Sequence, residues 1–436
     1  MINLIYKVFL KVKNIISKPF FRKTLLQVGF KILAVSMGIF TLKWFNNLDY
    51  LSRDLADEYS KQLAFNSIII GIFSFGISSV IQKEFTNSFD QIRRANVVKT
   101  FNILRLGTYV ASIILIYLLY VLNLYDFGYI STLLPKGNIW FIIAVFSTQF
   151  VMFSDINFRS IADATARSWV FSFTDLLSKV CYVSLLYISI SMLPQLSANS
   201  SMIAIALSGI IGNTIFLVFD YWYYTKDLPK ANFDINLIKD NLSTMIYVGL
   251  IGLYTGIVSK LDVILLKGEP GYVRSYSLAY QIFETIMIIP NITMPVLATH
   301  IKRSVDLKPH WPKYLALILL LGLGLSLTGL YGANLLLWIT LASVTYPLSS
   351  LIMPIFLLGF IPAFGISLLH NLMVFEGLEK IETYSLICVG IVIISGYFYF
   401  IPIYGVYGAA YVTIAGMYLE LIIKLINYYR LKIRNN

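Results

Sequence analysis

The chain has 436 residues, of which 58% are hydrophobic and 13% charged, with a mean hydropathy of +0.76. Soluble domains carry about 25% charged residues, so the composition excludes a chain of soluble domains and gives a polytopic membrane protein. A net charge of +12 invites nucleic acid, but the placement of Lys and Arg along the chain ties that charge to membrane topology instead.

Residues 1–23 carry Lys7, Lys11, Lys13, Lys18, Arg22 and Lys23 and no acid, with Leu4, Ile5, Val8, Phe9, Val12, Ile15 and Ile16 at helical spacing among them. This reads either as a basic amphipathic helix on the anionic cytoplasmic leaflet or as a solvated basic tail. No apolar stretch followed by a small-residue cleavage site is present, so no cleaved signal peptide is expected. A span needs about 20 apolar residues. Twelve such windows occur, near 24–45, 63–81, 100–123, 138–153, 171–193, 201–222, 243–266, 277–299, 314–339, 350–372, 383–401 and 406–426. With the N-terminus inside, cytoplasmic segments hold 24 Lys and Arg and outer loops hold 5. That bias predicts both termini in the cytoplasm and an even number of spans.

The two halves resemble each other: Leu63-Ala64-Phe65-Asn66 matches Leu278-Ala279-Tyr280-Gln281, and Ser208-Gly209 with Asp220-Tyr221-Trp222 parallels Ala415-Gly416 with Asn427-Tyr428-Tyr429. The expected architecture is all-α, with an N-lobe over 24–222, a cytoplasmic linker over 223–242, a C-lobe over 243–426 and a tail over 427–436. Six spans per half make the repeats parallel, related by a pseudo-two-fold axis along the membrane normal, with a central cavity between the lobes. Cys181 and Cys388 fall inside spans and give no disulfide framework. His300, His310 and His370 are scattered, so neither a metal site nor another cofactor is expected.

Three stretches resemble a known family, the Wzx-type polysaccharide flippases of the multidrug/oligosaccharidyl-lipid/polysaccharide exporter superfamily. Asp262-Val263-Ile264-Leu265-Leu266 leads through a Gly-containing hairpin to Tyr276-Ser277-Leu278-Ala279-Tyr280, with Pro290 and Pro295 beyond it. Ile401-Pro402-Ile403-Tyr404-Gly405-Val406-Tyr407-Gly408-Ala409-Ala410 looks like the family's Pro-x-x-Gly-x-x-Gly-Ala-Ala signature. Ala56-Asp57-Glu58-Tyr59-Ser60, in the first outer loop, is similar to its Glu-Tyr-Gly element, with Ser60 where Gly is usual. The resemblance implies a bacterial inner-membrane protein that moves undecaprenyl-pyrophosphate-linked oligosaccharide from the cytoplasmic to the periplasmic leaflet by alternating access. Such a protein serves O-antigen or other surface-polysaccharide synthesis, beside membrane lipids, a polysaccharide polymerase and a chain-length regulator.

A charge at the centre of a membrane helix costs roughly 2.5–3.5 kcal/mol, so each one inside a span needs a reason. Asp175 with Lys179, and Glu420 with Lys424, stand four apart and can pair on one helix face. Lys31, Arg105 and Lys260 have no acid three or four residues away. They either snorkel or, with Lys179 and Arg274, form a cationic site for pyrophosphate. Glu284 is too short to snorkel and must pair, for instance with Lys260, take up a proton or line water. Asp262 is a candidate for closing an outer gate. Asp175, Asp262 and Glu284 are thus the coupling or gating candidates, with H+ or Na+ as the coupling ion. Asn66, Gln149, Asn213 and Gln281 read as helix-to-helix hydrogen bonds.

No catalytic constellation or nucleotide-binding loop is present, so an enzyme is not expected. A cation-coupled multidrug exporter of the same superfamily is the competing reading, and it calls for an acidic cavity. A polymerase or ligase calls for a large outer loop, and the longest here spans about 46–62.

Overall fold

A computed structural model describes residues 26–435 except 47–51, 125–138, 193–197, 302–310 and isolated positions, most of them within 28–45 and 288–300. The basic segment 1–23 and His300 and His310 lie outside the described residues. Among the described residues the chain is helical and holds no strand. The helices are α1 (Arg53–Ile72), α2 (Ile77–Asn87), α3 (Gln91–Leu124), α4 (Ile139–Ala164), α5 (Ser168–Met192), α6 (Ala198–Thr225), α7 (Ile235–Val258), α8 (Leu261–Leu265), α9 (Tyr272–Ile286), α10 (Trp311–Ile339), α11 (Ala342–Thr345), α12 (Leu348–Leu357), α13 (Phe360–Phe375) and α14 (Glu379–Asn435). Hydrocarbon offers no partner for backbone N–H and C=O, and a helix satisfies both internally. Among the described residues, five helices are long and apolar enough to cross a membrane, or up to seven if each of two bent pairs counts as one span.

Polar residues set the helix starts. Asp90 Oδ1 accepts the Ile92 N–H at 3.0 Å ahead of α3, and Asp234 Oδ1 accepts the Asn236 N–H at 2.9 Å ahead of α7. Both are N-caps that satisfy an orphan donor of the first turn. The polar connection between α6 and α7 is therefore 226–234, shorter than the 223–242 expected from hydropathy.

The spans are less continuous than hydropathy suggests. The window 63–81 contains a 51° bend, where Phe75 (φ 45°) and Gly76 (φ 59°) both adopt left-handed backbone. The window 243–266 is cut at Ser259 and Lys260 into α7 and α8, and α12 and α13 meet at 46° around Gly359. The fourth window runs long: α4 continues eleven residues beyond 153, to Ala164. The expected outer loop 46–62 is helical from Arg53 onward, so Asp57-Glu58-Tyr59 sits on α1. α14 comprises two arms folded back at Gly405 (φ 57°), with Tyr397 Oη 2.9 Å from Thr413 Oγ1 across them.

The chain groups into two compact units. Unit 1 collects 77–110, 143–242 and the segment up to 41. Unit 2 collects 42–76, 111–142 and 243–436. This grouping differs from lobes divided near 222–243, because 42–76 and 111–142 cluster with the second half of the sequence. Unit 1 is built on Phe146, Phe150 and Tyr109, whose rings stand 4.9–6.2 Å apart. In unit 2 Trp311 and Tyr428 meet edge to face among Leu315, Leu368, Leu372 and Met373. A second cluster there stacks Tyr276, Tyr280, Phe283, Phe356 and Phe360. α1 and α7 cross at glycines: a Cβ on Gly71 would stand 2.9 Å from the Gly252 carbonyl oxygen. Small residues allow such backbone approach where lipid offers no hydrophobic drive for association.

Candidate functional sites

Unit 1 gathers charge from four helices. Lys31 Nζ lies 2.6 Å from Asp175 Oδ2 on α5 and 5.5 Å from the centre of the Phe171 ring. Asp175 therefore serves Lys31, 144 residues away, rather than Lys179 on its own helix. Asp155 on α4 and Asp220 on α6 bring their carboxyl groups close enough to act on each other, and Thr174 donates to Asp220 Oδ2 at 3.1 Å. A bond between two carboxyl groups needs one proton on the pair, since an ionised carboxylate only accepts. Lys179 stands within the fields of Asp175 and Asp155 and makes no ion pair among the described residues. With one proton on the Asp155–Asp220 pair, the two lysines balance Asp175 and the remaining negative charge. A second proton leaves the cluster cationic. Uptake of that proton therefore favours uptake of an anion with it.

Arg105 on α3 takes no part in that cluster. Its Nη2 donates to Asn157 Oδ1 at 3.1 Å and to Ser78 Oγ at 3.4 Å, and its guanidinium covers the Phe153 ring at 4.6 Å.

The candidates in unit 2 are tied to structure. Lys260 Nζ lies 2.9 Å from Glu284 Oε1 and 4.8 Å from the Tyr280 ring centre, so Glu284 has the lysine as its partner. Asp262 is fully buried and accepts the Tyr276 hydroxyl and the Val263 N–H. Tyr276 continues to Thr413 Oγ1 and Tyr397, whose hydroxyl donates to the Val258 carbonyl at 3.2 Å. That carbonyl is an orphan acceptor at the end of α7, so the chain of hydroxyls closes the break between α7 and α8.

Arg274, 1% exposed, reaches Asn46 Oδ1 at 3.2 Å and Ser60 Oγ at 3.4 Å. Asn46 in turn donates to the Thr340 carbonyl at 2.9 Å. Asp57 caps α9 from another helix, accepting the N–H groups of Gly271 at 2.8 Å and Arg274 at 2.5 Å. The two family-like hairpins also touch: the Val406 N–H donates to Tyr272 Oη at 3.1 Å. The expected pair Glu420–Lys424 is present at 2.9 Å, and Lys424 extends it to buried Glu382, which also holds His370. Asn213 receives Ser178 Oγ from the neighbouring helix at 2.7 Å, whereas Asn66 receives Gln62 from its own.

Three acids escape sequence reasoning. Asp155 lies two residues past the end assigned to the fourth span, Asp220 is visible only as part of the repeat, and the partner of Asp57 is 214 residues away. For Asp155 a longer fourth span was the available signal.

No protein-family model and no curated protein matches the sequence. Solved structures do match its fold. A multidrug resistance MATE family transporter of the MOP superfamily, in an inward-facing conformation, superposes with a TM-score of 0.72 at 13% identity, over 94% of this chain and 98% of that one. The fold is that of the MOP-superfamily transporters. A eukaryotic MATE transporter gives 0.64 at 14% identity over 96% and 97%. A MOP superfamily transporter from Pyrococcus furiosus, described as having a binding pocket of reversed polarity, gives 0.63 at 14% over 94% and 96%. The chain is accordingly an all-α, multi-pass membrane protein of about twelve spans, and the matched proteins are transporters rather than enzymes.

Proposed function

We propose that the chain is an alternating-access transporter that flips undecaprenyl-pyrophosphate-linked oligosaccharide to the periplasmic leaflet of the bacterial inner membrane, for surface-polysaccharide synthesis. The observation that carries this reading is the cluster in unit 1, where Lys31 and Lys179 stand among Asp155, Asp175 and Asp220. Lysines inside a span favour an anionic cargo, and charge-assisted hydrogen bonds from an ammonium suit a pyrophosphate. The coupling ion in this reading is H+, exchanged at Asp155 and Asp220. Lys260 with Glu284 is a second, exposed ion pair open to the cargo, whereas Arg274 and Asp262 hold helices together. Polymerase and chain-length regulator are the partners that would consume the flipped unit.

The same Asp155–Asp220 pair suits a second reading, a cation-coupled multidrug exporter, since a carboxyl pair also attracts cationic drugs. The two readings separate in cells lacking the gene. The flippase reading expects lipid-linked oligosaccharide to accumulate on the cytoplasmic leaflet, rescued by the wild-type chain and poorly by Lys179→Gln at equal membrane abundance. Absence of any lipid-linked intermediate, together with loss of cationic dye efflux, would replace it with the exporter.

A further inference from the structure

Unit 1 contains a slot of about 440 Å³ between α3, α4 and α6, walled by Leu106, Tyr109, Phe150 and Val218, with Arg105 in its lining. Arg105 is 3% exposed, and its Nε and Nη1 have no hydrogen-bond acceptor. It makes no ion pair among the described residues. A buried guanidinium without a counter-charge is costly by several kcal/mol, so a bound anion is the natural completion of this site. The rest of the slot is mostly apolar, with Asn102, Ser147 and Ser154 as its other small polar residues. At the ~30 Å³ that a water-sized group occupies, it has room for about fifteen methylene-sized groups.

Its position adds the second half of the ligand. Leu106 and Val218 are 62% and 61% exposed, so the slot opens on the outward apolar face of α3 and α6. Beside its other wall residue, Tyr221, Trp222 and Tyr223 carry Lys226 over their rings at 5.3 Å. Aromatic residues with a cation mark the headgroup level of a bilayer. On α3, Lys99 lies six residues before Arg105, about 9 Å at 1.5 Å per residue. The slot therefore runs from headgroup depth into the hydrocarbon, with the unpaired guanidinium near its upper end.

We infer that this slot binds an anionic phospholipid of the surrounding bilayer, its phosphate drawn to the Arg105 guanidinium and an acyl chain along Leu106, Phe150 and Val218. Basic pockets between membrane helices are known hosts for anionic headgroups. Here the guanidinium has no carboxylate partner among the described residues, only Asn157 and Ser78 on Nη2. The inference does not depend on the cargo proposed above, because it concerns a resident lipid.

Native mass spectrometry of the full-length protein, released from nanodiscs of equal phosphatidylglycerol and phosphatidylcholine, tests it. The wild type is expected to retain phosphatidylglycerol about tenfold over phosphatidylcholine, the worth of one hydrogen bond to a charged group. Arg105→Gln should bring that ratio near one, and Leu106→Trp, which fills the slot and leaves Arg105 intact, should cut retention of phosphatidylglycerol severalfold. Equal retention of the two lipids by the wild type overturns the inference, as does a preference that survives both substitutions. If Arg105→Gln does not fold, Leu106→Trp decides alone: unchanged retention of phosphatidylglycerol overturns the site. Displacement of phosphatidylglycerol by added undecaprenyl phosphate at equal concentration would also overturn it, by making the slot a cargo site.

Discussion

The two units treat buried charge differently. In unit 2 the buried and half-buried charged groups close structural gaps: Asp57 caps α9, Asp262 anchors the α7–α8 break, Arg274 ties Asn46 and Ser60 together, and Lys424 joins the two arms of α14 through Glu382. In unit 1 the charges meet one another, the carboxyls of Asp155 and Asp220 act on each other and Lys179 lacks an ion partner among the described residues. Charges fixed to backbone groups have one protonation state compatible with the fold. Charges packed against like charges have several, separated by little energy. The first kind builds a scaffold, and the second can carry out exchange.

Breaking unit 2 should therefore cost stability before anything else. The largest effect is expected at Lys424, 3% exposed in its side chain and shared by Glu382 and Glu420. Lys424→Ala strands a buried carboxylate and should destabilise by about 3–5 kcal/mol. The fluorescence-detected unfolding midpoint in detergent measures it. Adding Glu382→Gln should recover part of that loss, and a double variant as unstable as the sum of the singles would show that the two residues do not interact.

The next effect is steric. Gly71→Ala places a methyl against the Gly252 carbonyl, within 2.9 Å, where only backbone can yield. Overpacking of this sort costs about 1–3 kcal/mol. Gly107→Ala, with nothing within 4 Å, is its control in the same unfolding assay. A smaller loss, about 1 kcal/mol, is expected for Asp57→Ala, which removes the cap of α9. Asp57→Asn should retain much of it, since an amide oxygen also accepts. Equal losses for the two variants would mean that the carboxylate charge beside Arg274, rather than the cap, is what matters.

These contrasts also mark what the sequence reveals. Helix content and the hairpin at Gly405 follow from hydropathy and from a turn that needs positive φ, both local properties. The pairing of Glu420 with Lys424 is equally local, four residues apart on one helix. What escapes is long-range. Nothing near Lys31 in sequence points to Asp175, and nothing near Asp57 points to α9. The bend at 73–76 is hidden because Phe75 carries no signal for left-handed backbone, and a Cβ at Gly76 would stand 2.7 Å from Val248, a constraint set 172 residues away. Asp155 is hidden by a boundary: hydropathy falls after 153 while the helix continues, because its polar partners lie on α6 and α5 rather than in water.

The Asp155–Asp220 pair provides the prediction with the least effect on stability and the most on function. In Asp155→Asn the amide can donate to Asp220, so the fold should be kept and the unfolding midpoint should move little. The cluster then loses one of the two groups that can release charge, and pH should control transport less steeply. Asp220→Asn should do the same from the other side, with Thr174 still available as a donor to its oxygen. The double variant should be flatter than either single one, because each single variant keeps one carboxyl that can take up a proton and the double variant keeps none. Flipping or efflux measured from pH 5.5 to 8 in proteoliposomes reads this directly. Two singles that keep the wild-type profile while Lys179→Gln abolishes transport would separate cargo binding from coupling, leaving the lysines as the functional half of unit 1 and the carboxyl pair as another structural contact.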